Sequence, residues 1–389
     1  MNNTNTSLVN SELYDYFILP NILGAKNDLD IIQSWLQRCG SNSKNTYDSY
    51  LREIKRFSIF CSSIGKHYTD VSAKEINEYL GILKNPPPNW LKDPDSVISV
   101  STQLLYKPLS LRSIEYAQGI LRNFFSYIQD AGVINSNPVR LSIKIKSDKG
   151  FNIDGKSLSF DAWDYLSSWL KYESENKVGA NRSKSIRDRW LMHLLYHSGA
   201  RRSSIVGLNM NAFKIKNKGT HRSWVLEFIQ KGNNKHEIIV NPELLSELEF
   251  YRKCLGLSKY PTKDESNIYM VATVGKVKAN DNKIKLNSDS SISLRGINYV
   301  IKQSLELAAA DCEDYFISEE LKKATTHTFR HTIATHRLNM GGDIVSTQRH
   351  LGHKSLNTTM IYAKESGKHE LEESKKIYDK MMERKNLKK

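Results

Sequence analysis

Scarcity is the first property of this chain of 389 residues. It holds four cysteines, Cys39, Cys61, Cys254 and Cys312, widely separated and never paired as Cys-x-x-Cys. That excludes a disulfide framework and leaves reduced thiols. No window approaches the roughly 18 continuous apolar residues of a membrane span, and no basic residue precedes Lys26 to open a signal peptide. The expectation is a cytoplasmic protein that stays where it is made, with no membrane partner. Internal repeats and a glycine-rich phosphate loop are also missing, so an ATP-driven mechanism has no support.

Positive charge is what the chain has in excess. Lys and Arg number 57 against 42 Asp and Glu, a net charge of +15. Such a surplus points to a polyanionic partner, above all the DNA backbone, and to binding that weakens with salt. Charge alone does not choose between DNA and RNA.

The length suits two domains, each with its own core. Residues 1–24 are rich in Asn and Ser, with a short apolar patch at Phe17-Ile18-Leu19 cut by proline, and no fold is assigned to them. From Ser43, Tyr47, Tyr50, Leu51, Ile54, Phe57, Cys61 and Ile64 recur at helical spacing up to Gly65. Ile114, Ala117, Leu121, Phe124, Phe125 and Ile128 repeat the pattern up to Gly132. Pro86, Pro87, Pro88 and Pro94, four of the nine prolines, cluster between, so residues 84–108 are predicted to be an extended loop.

Asn137-Pro138 and the polar run from Lys144 to Lys156 mark a linker over 143–157. It divides a helical domain at 25–142 from a second domain at 158–389. There, Ser159 is placed to cap a helix carrying Trp163, Leu166 and Leu170. Trp224 to Gln230 and His236 to Val240 read as two strands about a Gly-Asn-Asn turn, with Lys231 at the tip. The predicted class is mainly α with a small antiparallel sheet.

Chemistry concentrates between His327 and Tyr362. His327-Thr328-Phe329-Arg330-His331 is followed by Leu351-Gly352-His353 and then by Tyr362. Cleaving a phosphodiester without metal requires fixed cations around its non-bridging oxygens. An arginine fork grips two of them and stays charged. A tyrosine hydroxyl, with its pKa of about 10, needs help to lose its proton, for which His327 and His353 are candidates. The leaving oxygen needs a proton donor. A second arginine should come from elsewhere. Arg201 follows the glycine break in Leu194-Leu195-Tyr196-His197-Ser198-Gly199-Ala200, where a helix N-terminus would also favour an anion.

These residues resemble the tyrosine recombinases, the family of phage integrases and chromosome-dimer-resolving recombinases, from about residue 25 to the C-terminus. The resemblance implies one active site of Arg201, Lys231, His327, Arg330, His353 and Tyr362, acting without metal or cofactor. Lys235, on the same hairpin, is the alternative lysine. The chain departs from the family pattern at Ala200, at Phe329 and at Ser204, which stands where an acidic residue is common. An N-terminal helical, SAM-like core-binding domain and a C-terminal catalytic domain are implied. So are duplex DNA with two inverted half-sites, a homotetramer coupled by the helix beyond Tyr362, and DNA-bending accessory proteins. An arm-site domain ahead of residue 25 is not expected.

Each residue alone has a plainer reading: Arg201-Arg202 as a solvated helix face, Leu351-Gly352-His353 as a helix end with a C′ glycine, Tyr362 as packing, and His331 and His336 as caps or core. His327 and His331 are spaced as in helical zinc sites, but Thr328 stands where a metalloprotease would have glutamate. Two other activities use the same residues differently. One is a type IB topoisomerase relaxing DNA as a monomer, and the other is a DNA-binding regulator without catalysis.

Overall fold

The computed structural model describes residues 22–41, 43–92, 104–147, 157–230, 232–275, 286–353, 355–356, 359–360 and 378. The Phe17-Ile18-Leu19 patch, and the segment beyond Tyr362 expected to be a helix, with apolar positions at Leu371, Ile377 and Met381, lie outside these residues, Tyr378 apart. The chain divides into two compact units, Met1–Gly150 and Phe151–Lys389.

The first unit is helical: α1 (Asp28–Gly40), α2 (Lys44–Ser63), α3 (Ala73–Lys84) and α4 (Leu111–Asp130). Asn27, Ser43, Ser72 and Ser110 each accept a hydrogen bond from a first-turn amide, which satisfies donors that no helical carbonyl can reach. The interior is aromatic, with Trp35 edge-on to Phe124 at 5.1 Å between ring centroids and Phe57 edge-on to Phe125 at 5.8 Å. A buried ion pair joins Glu53 to Arg56 at 2.7 Å, and the Tyr79 hydroxyl donates to the same carboxylate at 2.6 Å. Burial raises the pKa of that carboxyl.

The described parts of the proline-rich stretch, residues 84–92 and 104–108, depart from an extended loop. Pro88–Trp90 form a 3₁₀ turn, Leu91 bridges to Leu105, and Trp90 and Leu105 are both buried in the aromatic core.

The second unit continues with α5 (Phe160–Asn176), α6 (Gly179–Ser198), α7 (Arg202–Ile205), β1 (Phe213–Lys218), β2 (His221–Gln230), β3 (Asn234–Ile239) and α8 (Pro242–Cys254). Then come β4 (Ala272–Val274), β5 (Leu286–Ser291), α9 (Leu294–Asp311), α10 (Tyr315–Lys323), α11 (Thr326–Asn339) and α12 (Ile344–Leu351). β1, β2 and β3 form an antiparallel sheet in that order, and β4 pairs with β5 in a second one. Neither β1 nor the second sheet was expected from the sequence.

Ser159 caps α5 by accepting from Ala162 N at 3.1 Å, and Trp163, Leu166 and Leu170 are buried. α6 is the central element, buried without interruption from Arg189 to Ser198 because α5, α8, α9 and α11 pack around it. Trp163 stacks on Tyr196 at 3.7 Å. The Tyr196 hydroxyl donates to His336 Nδ1 at 2.8 Å, while His336 Nε2 donates to the Leu158 carbonyl at 3.0 Å. Burial lowers this imidazole to about 4, so the neutral ring holds both bonds and ties α6 and α11 to the start of α5.

Candidate active site

Three chain breaks meet in the second unit. The first is the end of α6, where Gly199 adopts φ +57° and a Cβ would come within 2.8 Å of Leu351 Cδ2. Only glycine suits both the left-handed backbone and the close packing. Arg201 follows in extended conformation, half-buried, and α7 is a single turn of four residues. The helix expected to open behind Arg201 is therefore too short for a substantial dipole, and the arginine itself carries the charge.

The second break is the start of α11. Thr325 N donates to Thr328 Oγ1 at 2.8 Å, which fixes the first turn, and Phe329 is buried beneath it. Arg330 is 6% exposed. Its guanidinium donates to the carbonyl of Gly199 and, at 2.7 Å, to that of Leu351. A buried cation gripped by backbone carbonyls keeps its charge and has one fixed direction.

The third is the end of α12, where His353 N donates to the Gln348 carbonyl at 3.1 Å and Gly352 has φ +64°. This is a Schellman closure, so the plain reading of Leu351-Gly352-His353 holds as geometry. Gly352 meets a second constraint too. A Cβ there would lie 2.6 Å from Gln230 Nε2 and 2.9 Å from the His236 ring, because the β2–β3 hairpin lies against this helix end.

Gln230 joins the breaks. It is the last residue of β2 and nearly buried, accepts from Arg201 Nη1 at 3.0 Å and donates to the Leu351 carbonyl at 3.0 Å. Arg201, Gln230, Leu351 O and Arg330 thus form one continuous hydrogen-bonded chain. His236 Nε2 donates to the His350 carbonyl at 2.9 Å, and His350 Nε2 donates to the His197 carbonyl at 2.9 Å.

His327 and His353 lie in the field of both arginines. Burial first, then Arg202, Arg201 and Arg330, lowers the pKa of His327. For His353, burial followed by Arg330 and Arg201 brings it down to about 4, and its Nδ1 is hydrogen-bonded to Thr359 Oγ1 at 2.9 Å. At neutral pH His353 is therefore uncharged and able to exchange a proton. Arg202 instead reaches Asn298, whose Oδ1 also accepts from Thr326 Oγ1 at 3.1 Å.

Of the six residues expected at one site, the structure brings together Arg201, His327, Arg330 and His353. Lys231 and Tyr362 lie outside the described residues. Lys231 follows Gln230 directly in the chain. Lys235 pairs with Ile229, on the face of the hairpin opposite Gln230 and His236. His336 packs as described above, and His331 is half-buried on α11.

Sequence reasoning missed Gln230 and His236. The signal was parity: Leu226, Phe228 and Gln230 alternate on the buried face of β2, and an amide in an apolar series needs a partner.

Among the described residues, His193, His197 and Glu243 bring ligand atoms within 4.8 Å of one another. Asn241 Oδ1 is occupied in capping α8 at Leu244 N, so its Nδ2 faces His197 Nδ1 at 3.0 Å. Asn241 then donates to Nδ1, which places the proton of a neutral His197 on Nε2, 3.6 Å from Glu243. The arrangement suits a histidine–carboxylate contact between α6 and α8 better than a metal ligand set.

Residues 167–369 match the phage integrase family, a span of more than half the chain. The chain therefore belongs to that family, the tyrosine recombinases, a class of enzymes that cleave and rejoin DNA strands. Site-specific recombination is the reaction of the class. Among similar proteins, tyrosine recombinase XerC of Thermodesulfovibrio yellowstonii is 28% identical over 288 residues, covering 72% of this chain and 79% of that protein. XerC of Leptospira interrogans is 25% identical over 343 residues, 87% of each chain.

The fold resembles the XerH site-specific recombinase in a post-cleavage complex with palindromic difH substrate, with a TM-score of 0.58 and 16% identity over 91% of this chain and 86% of that one. It also resembles the Tn1549 transposon integrase in complex with transposon right end DNA, with a TM-score of 0.52 and 17% identity over 88% and 98%. No helix of the described residues is long and apolar enough to cross a membrane.

Proposed function

We propose that this chain recombines duplex DNA at a specific site through a 3′-phosphotyrosyl intermediate on Tyr362. The observation that carries the reading is the linkage of Arg201 to Arg330 through Gln230 and the Leu351 carbonyl, with His327 and His353 in the field of both. Two fixed guanidiniums clamp the scissile phosphate and stabilise charge on its equatorial oxygens as the transition state forms. Tyr362 Oη bonds to phosphorus as the bond to the 5′ oxygen breaks. His327 and His353 assist loss of the tyrosine proton, and the two arginines favour the phenolate. Lys231 protonates the leaving 5′ oxygen. It is preferred over Lys235 because it directly follows Gln230, the residue that holds Arg201. Attack by a partner strand's 5′ hydroxyl on the phosphotyrosine reverses these steps and needs no nucleotide cofactor.

The substrate we assign is a duplex with two inverted half-sites, bound by a helical core-binding domain at 25–142 and a catalytic domain at 158–389, joined through 143–157. A homotetramer coupled by the tail, DNA-bending accessory proteins, and a cytoplasmic, nucleoid-associated mobile-element enzyme complete the reading. The test incubates the protein in chelator with DNA flanking its gene, nicked near candidate sites to trap cleavage. A covalent adduct on the 3′ side of the break, confined to certain fragments, is the expected result. Relaxation of any supercoiled plasmid without sequence preference would favour the topoisomerase reading, and salt-sensitive binding without an adduct would favour the non-catalytic regulator. Deleting residues from Lys368 onward is expected to spare binding and reduce strand exchange; unchanged exchange would dismiss the coupling role of the tail.

A further inference from the structure

The geometry points to Gln230 as the residue that positions Arg201 for catalysis, in place of a carboxylate on the arginine's own turn. This rests on the function proposed above. Among the described residues, the hydrogen-bond partner of the Arg201 guanidinium is the Gln230 carboxamide at 3.0 Å. A free guanidinium on a long side chain samples many rotamers, and each must be frozen before it can receive a phosphate. Ser204 on α7 is buried and short, and its main-chain N–H is used on the Arg201 carbonyl at 2.8 Å. A hydroxyl there offers no ionic hold on the side chain.

The carboxamide suits the task chemically. Its oxygen accepts from Arg201 while its nitrogen donates to Leu351 O, the carbonyl that also receives Arg330 at 2.7 Å. One amide thereby sets the position of the first arginine relative to the second. A carboxylate at residue 230 would still accept from Arg201 but would face Leu351 O with no proton to donate. The neutral amide also leaves the full positive charge of the pair for the phosphate.

The packing allows this residue almost no freedom. Gln230 is 7% exposed, and its nitrogen lies only 2.6 Å from where a Cβ on residue 352 would be. The glycine at 352 is thus the space into which the amide fits. Because Lys231 is the next residue, the same amide anchors the strand end from which the proposed acid departs.

The test compares single-turnover cleavage of the nicked substrate by wild type, Gln230→Ala and Gln230→Glu, each also in an Arg201→Lys background, with half-site binding and melting temperature measured alongside. Gln230→Ala is expected to bind half-site DNA as wild type does and to cleave about 10- to 100-fold more slowly, the scale of losing a fixed near-attack geometry. Gln230→Glu, which keeps the acceptor toward Arg201, should cleave faster than Gln230→Ala.

In the Arg201→Lys background, Gln230→Ala should cost less than about threefold, because its effect passes through the missing guanidinium. An equal cost in both backgrounds would mean that the amide acts on stability or elsewhere, and would overturn the proposal. Should Gln230→Ala not fold, Gln230→Glu decides by the same cycle. Wild-type adduct with an unchanged rate in both variants removes this proposal alone, whereas no adduct from wild type removes the function reading and this proposal together.

Discussion

The interiors of the two units are built from different chemistry. Met1–Gly150 buries Trp35, Phe57, Phe60, Tyr79, Phe124 and Phe125 in a connected aromatic cluster, beside a short-range ion pair between Glu53 and Arg56 and a contact of His67 with the buried Asp28. Phe151–Lys389 buries Arg189, His193, His197, Arg252, Arg330 and His336. Arg252 is fully buried and makes a bidentate pair with Glu265 at 2.6 and 2.8 Å, and Arg189 makes one with Glu247 at 2.7 Å on both sides. An aromatic interior holds shape through area and edge-on packing. An interior with cations holds shape where carboxylates and carbonyls meet its donors. The second kind is costlier to build, and it supplies fixed charge where the reaction needs it.

Removing charge from the second interior has the largest expected effect. Arg330→Ala should lower adduct formation on the order of a thousandfold, near the upper end for losing one preorganised donor to a developing oxyanion. Single-turnover cleavage measures it, and a loss below about tenfold would mean that Arg330 is only structural. In the first interior, Phe57→Ala should cost about 3–5 kcal/mol of stability by cavity formation. Urea unfolding followed on residues 22–147 alone checks this.

A smaller effect is expected at Gly352→Ala, which combines a left-handed backbone with contact against Gln230 and His236, at roughly 1–3 kcal/mol. Cleavage should fall further than stability alone explains, because the contact displaced is the one beside Arg201. Equal falls would uncouple Gly352 from the site.

Acid should separate the two interiors next. Burial lowers His193 and His336 to about 4 and His350 to about 3. All three lie below the roughly 6.5 of an unfolded chain. Between about pH 6.5 and about pH 4 the unfolded state therefore binds protons that the folded state refuses. Stability from these groups is complete above that window and is lost as pH falls through it. Unfolding at about pH 7.5 and about pH 5 should show a loss of a few kcal/mol in the second unit. A second unit equally stable at both would contradict the neutral-ring hydrogen bonds at His336. The smallest change is Ser110→Ala, worth about 1 kcal/mol as a lost helix cap and read from the same unfolding curves.

Legibility in the sequence followed the range of the forces involved. Local signals read well: Ser159 caps the helix it was expected to cap, the helical period read from Ser43 begins a helix there, and Gly65, Gly132 and Gly352 follow helices with positive φ. β1 was missed because its apolar alternation is only Phe213 and Ile215 long, and its lysines Lys214 and Lys216 find their partners on β2 and β3, at Glu227 and Glu237. α1 and α3 also went unread, although Asn27 and Ser72 cap them and Ile76, Tyr79, Leu80 and Leu83 recur at helical spacing; their shortness, 13 and 12 residues, gives the pattern only about three turns to show itself.

In the site, Arg201, His327, Arg330 and His353 were nameable from spacing and resemblance. The hold on each was not. Gln230 touches Arg201 across 29 residues and Leu351 across 121, and no periodicity encodes a contact of that separation.

The central claim is that Tyr362 carries the covalent bond. The most direct measurement digests the trapped wild-type adduct and identifies the peptide that bears the nucleotide, with Tyr362→Phe run in parallel. The expected result is a nucleotide on the peptide containing Tyr362, no adduct from Tyr362→Phe, and equal half-site binding by both. A nucleotide on any other peptide, or an adduct that survives the loss of the hydroxyl, would contradict it.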